Sequence, residues 1–138
     1  FAPYMIAADG NIRGPAGDGR AAVVAQADIA DVAVAVLTSG GAYDGRTLNL
    51  TGPVALTMHE IANVLSDHLG RRVSYVAETI EEAYASRAGY GAPPWQVDAW
   101  VSTYTAIAAG ELAGVTEDVA VVTGHPATPL AQVLAAGH

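Results

Sequence analysis

The chain has 138 residues, enough for one domain with a single core, and a hydrophobic share of 51% against 14% charged residues, which excludes a disordered segment. A formal charge of -8 argues against a nucleic-acid surface, which needs clustered basic residues to displace counterions from phosphates. All six basic residues are Arg and there is no Cys, so Schiff-base and P-loop lysines, a Tyr-x-x-x-Lys pair, disulfides and thiol nucleophiles are all excluded within these residues.

No run of eighteen apolar residues and no charged-then-apolar leader is present, which makes a cytoplasmic protein without a membrane span the expectation. Because the chain opens with Phe1 and starts inside what reads as an element, it is expected to be a piece of something longer.

The first feature is "GNIRGPAGDGR", with Gly10, Gly14, Gly17, Gly19 and Pro15 in eleven positions. A dinucleotide cradle needs a buried strand before its first glycine and a helix after its last. Neither flank fits, since "FAPYMIAADGN" carries Pro3, Asp9 and Gly10 and "RAAVV" is β-like. The stretch therefore reads as a tight connection between two short extended pieces, with Pro15 and Asp18-Gly19 supplying turn chemistry.

Next come a strand over residues 21–24 and a helix with Asp28 as its N-cap, Ile29, Val32, Ala33 and Val36 on one face, and Gly40-Gly41 as its stop. "GRTLNLTGP" reads as a short strand through Leu48 and Leu50 running into a turn. Thr57 with Glu60 forms a capping box for a helix that places Met58, Ile61, Ala62, Leu65 and Leu69 on one face and stops at Gly70. A strand through Val73, Tyr75 and Ala77 follows, then a second capping box, Thr79 with Glu82, for a helix reaching about Ala88. After the breakers of residues 89–94, Trp95, Val97, Trp100, Val101, Tyr104, Ile107 and Ala108 form one helical stripe. A short helix from Thr116, the "TGHPATP" turn, and a last helix opened by Thr128 with Pro129 at its first position complete the chain. No internal repeat or linker divides it, so residues 1–138 are expected to be a single domain of the α/β class with a few short strands and about five helices.

In that order, "DGNIRGPAGDGRAAVVAQADIADVAVAVLT", "GRTLNLTGPVALTMHEIANVLSDHLGRRVSYV" and "PPWQVDAWVSTYTAIAAGELAGVTEDVAVVTGHPATPLAQVL" resemble the C-terminal half of the NmrA-like atypical short-chain dehydrogenases, a Rossmann-type group of NAD(P)H-dependent quinone reductases and redox-sensing regulators. The resemblance covers nearly all of the chain. It implies a parent that binds NAD(P) in an N-terminal half absent here, and a C-terminal half that closes over a small quinone-like or other carbonyl substrate. Hydride transfer would then be directed by positioning, without a Tyr-Lys pair.

Under that resemblance the substrate-pocket candidates are Phe1, Tyr4, Met5 and Trp95, with Trp100 and Tyr104 as further rings of a possible aromatic lid; the plainer reading of each is core packing. No catalytic, cofactor-binding or metal-binding residue is assigned to this chain, and no cofactor is expected on it alone. His59, His68, His125 and His138 lack zinc spacing and read as solvated surface, and Asp28 and Asp31 read as capping and dipole residues. Besides a small substrate, the expected partner is the missing half or another copy of the chain in a homo-oligomer, with no nucleic acid or membrane. Two alternatives stay open: a non-catalytic redox sensor, and a truncated self-associating domain.

Overall fold

The computed structural model describes residues 5–137, which form two compact units. One comprises residues 5–21 and 56–113, the other residues 22–55 and 114–137. The class is α/β, with short strands and six α-helices among the described residues, one more than the sequence pattern leads us to expect.

In the first unit, β1 (Ile12–Gly14) lies parallel to β4 (Tyr75–Ala77), Ile12 facing Tyr75 and Gly14 facing Ala77. Ile12 and Gly14 are buried while Arg13 points to the opposite side, the alternation that a two-residue side-chain period dictates. β2 (Arg20–Ala21) pairs antiparallel with β3 (Leu56–Thr57). The glycine stretch is thus the link from β1 to β2, although its own first residues already form a strand.

Both capping boxes are formed. At α2 (Met58–Leu69) the Glu60 N–H donates to Thr57 Oγ1 at 3.1 Å and the Thr57 N–H donates to Glu60 Oε2 at 2.8 Å; this backbone bond, ahead of the nearby Arg20, holds the Glu60 carboxyl below its usual range. Met58, Ile61, Ala62 and Leu65 are buried, and Gly70 ends the helix at φ +62°. Thr79 and Glu82 repeat the arrangement at α3 (Ile80–Arg87), which runs into a 3₁₀ turn at Ala88–Tyr90.

α4 (Pro94–Ala108) starts on a proline, whose missing N–H would have had no helical partner there. Its buried face is Val101, Tyr104 and Ile107. Trp95, expected on that stripe, is 70% exposed; five residues before Trp100, it is rotated roughly 140° around the helix.

The glycine question is answered by α4. A Cβ on Gly14 would stand 2.4 Å from the Tyr104 ring, and one on Gly19 would stand 2.2 Å from the Ile107 carbonyl oxygen. The link itself is clamped by the buried Tyr75 hydroxyl, which donates to the Gly14 carbonyl at 2.6 Å and accepts the Ala16 N–H at 3.0 Å. Burial pushes that phenol's pKa up, with the Ala16 N–H acting in the opposite direction.

In the second unit, α1 (Gln26–Thr38) begins after Ala25 and not at Asp28. Asp28 lies in the first turn, almost fully buried, where its Oδ2 accepts the Thr128 N–H and its Oδ1 accepts the Thr128 hydroxyl, both at 2.7 Å. Thr128 is correspondingly not a cap for α6 (Leu130–Ala135), whose N-cap is Pro129. Two expected caps are in fact one long-range pair, because a buried carboxylate gains more from two converging donors than from one exposed helix end. The expected apolar stripe of α1 is also mostly uncovered within this unit: of its helical residues only Asp28 and Val32 are buried, and Ile29 is 41% exposed.

No strand forms through Leu48 and Leu50. The backbone there is held by the region around α5 (Asp118–Thr123): Asp118 accepts the Asn49 N–H at 2.7 Å, the Thr116 hydroxyl donates to the Asn49 carbonyl, and Thr51 Oγ1 accepts the Thr116 N–H at 3.0 Å. Side-chain bonds replace a ladder. Residues 22–24 are likewise extended without pairing as a strand, although the Gly52 N–H donates to the Ala22 carbonyl at 3.1 Å. A Cβ on Gly52 would meet the Val23 carbonyl oxygen at 2.1 Å, so this glycine allows two backbones to touch.

His125 is not simply solvated. Its Nδ1 lies 3.0 Å from the Pro126 carbonyl and its Nε2 lies 3.3 Å from Asp31 Oδ2, two acceptors that only the doubly protonated ring satisfies together. The Pro126 carbonyl first, and then Asp31 against a desolvation penalty, raise its pKa.

Three outcomes follow from this packing. Gly14→Ala should cost about 1–3 kcal/mol in urea unfolding by overpacking Tyr104, while Gly89→Ala, whose Cβ would meet nothing within 4 Å, stays within about 0.5 kcal/mol of the parent. Asp28→Ala should cost a similar amount, about 1–3 kcal/mol, because the Thr128 donors lose their acceptor in a buried place. For His125, the raised pKa means its contribution to stability is complete below its ordinary value of about 6.5 and is lost as pH rises through the folded-state value. A histidine NMR titration should show that value falling in Asp31→Asn; no change there would remove Asp31 as a partner.

Candidate functional site

The first unit contains a cavity of about 430 Å³, a size suited to a small-molecule ligand. Its wall brings together the chain's early residues, β1, α3, the 3₁₀ turn and α4: Met5, Arg13, Arg87, Tyr90, Trp100 and Tyr104 all line it. Of the four residues expected from sequence, Met5 is on the wall and Trp95 is not, while Phe1 and Tyr4 lie outside the described residues. Trp100 and Tyr104, four apart on α4, do face the cavity together.

Arg87 is the buried charge of this site. Its Nη1 donates to Glu78 Oε2 at 3.0 Å and to the Ala83 carbonyl at 2.8 Å, and its Nη2 donates to the Arg13 carbonyl at 2.8 Å, tying α3 to β1. Both side chains of the Arg87–Glu78 pair are less than a tenth exposed. A charge so placed persists only because its donors are matched, and removing one partner would leave the other uncompensated.

The same guanidinium stands 5.5 Å from the centre of the Tyr104 ring. Burial pushes the Tyr104 hydroxyl's pKa upward, and the charge on Arg87 works against that shift. Tyr104 is therefore a neutral hydroxyl at ordinary pH.

Arg13 is held from behind. Its Nε donates to Asp9 Oδ2 at 2.8 Å, and this bond, with the Asn11 N–H on the same carboxylate, lowers the Asp9 pKa. Neither Asp9 nor Glu78 is on the cavity wall, where the charged residues among those described are Arg13 and Arg87. The described wall thus combines the rings of Tyr90, Trp100 and Tyr104 with two arginines, each paired with a carboxylate that lies off the wall.

Arg87 and Tyr90 escaped sequence reasoning for different reasons. At the end of α3, Arg87 carries the ordinary signature of a cation at a helix C-terminus, and nothing local reveals Glu78 nine residues earlier as its partner. Tyr90 lies in a glycine and proline break, where a large aromatic residue was the available signal.

The glycine stretch is built as a strand-to-strand link. Gly14 and Gly19 give up their Cβ space to Tyr104 and Ile107, and the chain leaves the loop as β2 instead of opening a helix towards a pyrophosphate. Among the described residues no three of His, Asp and Glu converge as a metal site, and no helix is long and apolar enough to cross a membrane.

No protein-family model matches the chain. It is 40% identical over 118 residues to the NAD(P)H azoreductase of Xenophilus azovorans, a match covering 86% of this chain and 41% of that protein. The NADPH-dependent quinone oxidoreductase QOR2 of Escherichia coli, solved with NADPH, superposes with a TM-score of 0.86 at 27% identity, over 98% of this chain and 47% of that one. The triphenylmethane reductase of Citrobacter sp., solved with NADP(H), gives a TM-score of 0.84 at 27% identity, over 98% of this chain and 47% of that one. The chain thus spans under half the length of the relatives it matches. The chain is homologous to these reductases, and its fold matches the C-terminal part of a Rossmann-like reductase fold.

Proposed function

We propose that the chain forms the substrate side of an NAD(P)H-dependent reductase for a flat quinone-like or other small carbonyl acceptor, with the cofactor carried by residues outside these 138. The observation that supports this reading best is the cavity itself, whose described walls are aromatic and carry the charged residues Arg13 and Arg87. Reduced nicotinamide would supply hydride. This chain would supply the acceptor's position and, through the two guanidiniums, a favourable field for negative charge developing on the acceptor's electronegative atom.

Met5, Tyr90, Trp100 and Tyr104 are the proposed substrate contacts, and Phe1 and Tyr4, on the segment leading to Met5, belong to the same assignment. The partner in this reading is a dinucleotide-binding half. Its support is the apolar surface left on the second unit, where Leu37 of α1 is 84% exposed and Val34 and Val121 are also uncovered.

A chimera tests this: the chain replaces the matched segment of the azoreductase, and NADPH oxidation is followed with a quinone and an azo acceptor. Saturable turnover with at least one acceptor is expected. A folded chimera that binds NADPH but reduces neither would overturn the proposal.

A further inference from the structure

Tyr90 stands apart from the rest of the cavity wall. It is 57% exposed and rides on the Ala88–Tyr90 turn between Gly89 and Gly91, where an added Cβ on either glycine would meet nothing within 4 Å. Gly91 takes φ +64°, which permits the chain to reverse into α4. The neighbouring Tyr84 is also exposed, but its hydroxyl is held by Asp98 at 2.9 Å. The Tyr90 ring instead meets Trp100 edge to face, with centroids 6.1 Å apart and planes at 88°. One ring comes from an open turn, the other from the body of a long helix, and both line the same cavity.

Resting on the acceptor-site reading above, we infer that Tyr90 and Trp100 form an aromatic clamp that selects planar conjugated acceptors, with Tyr90 as the specificity-determining residue. Two rings meeting at nearly right angles form a corner that offers a ligand two faces. A flat ring that lies on one of them turns its own edge to the face of the other, so it is stacked on one side and edge to face on the other, both arrangements that aromatic quadrupoles favour. A puckered carbonyl compound of the same volume contacts neither ring over its full area. Occupancy also covers apolar surface that Tyr90 otherwise leaves in water.

The chain contains only two tryptophans, so Trp95→Phe leaves Trp100 as the sole indole reporter, and the absence of Cys removes thiol addition to quinones. Quenching of Trp100 by 1,4-naphthoquinone should be saturable in this background. Adding Tyr90→Ala should raise Kd about tenfold, Tyr90→Phe should leave it within about twofold, and cyclohexane-1,4-dione should compete weakly and equally with and without the Tyr90 ring. Far-UV circular dichroism and urea midpoints establish that the variants are folded, as expected for a residue outside the core. Saturable binding with the same Kd in Tyr90→Ala would overturn the clamp and leave the acceptor site standing. Absence of saturable quenching in the Trp95→Phe background would overturn both.

Discussion

Two absent Cβ atoms let α4 sit where it does. Gly14 and Gly19 bring the β1–β2 link into contact with Tyr104 and Ile107, and a side chain at either position would have to displace a ring or a backbone carbonyl. The position of α4 decides where Trp100 and Tyr104 stand, and therefore where the cavity wall is. Tyr75 reinforces the contact from the other strand, giving and receiving a hydrogen bond across the same link. A glycine-rich stretch thus serves as a packing device between β1, β2 and α4.

Arg87 extends this arrangement from geometry to charge. By reaching Glu78, the Ala83 carbonyl and the Arg13 carbonyl at once, it joins α3 and β1, and it does so at the cavity wall. A buried ion pair is weak support for stability because desolvation offsets much of the attraction. Both side chains of the pair are buried, and Arg87 lines the cavity while Glu78 does not. That asymmetry connects the packing to the reductase reading, in which negative charge develops on the acceptor.

The second unit follows a different logic. Its long connections are held by side chains that substitute for secondary structure, with Asp118 and Thr116 serving the backbone near Asn49 and Asp28 serving Thr128. Residues of low strand commitment are thereby kept extended without a ladder. Of these groups Asp28 is buried, and both of its carboxylate oxygens are paired.

Local chemistry alone specified much of the chain: both capping boxes, the Gly70 stop and the strand at Tyr75 are decided by residues within a few positions of one another. Family motifs, spread over the whole length, specified the class of fold. Trp95 is missed for a local reason, its rotation around α4 away from Trp100; the larger misses involve partners far away in sequence. Asp28 resembled a cap until Thr128, a hundred positions on, took its carboxylate, and Leu48 to Leu50 resembled a strand until residues near 116–118 claimed its backbone. The site divides in the same way. That Trp100 and Tyr104 share a helix face was legible from their spacing, whereas the placement of Arg87 and Tyr90 on the same cavity wall depends on which helix faces which strand. That choice is made by long-range packing around glycines, for which no local periodicity exists.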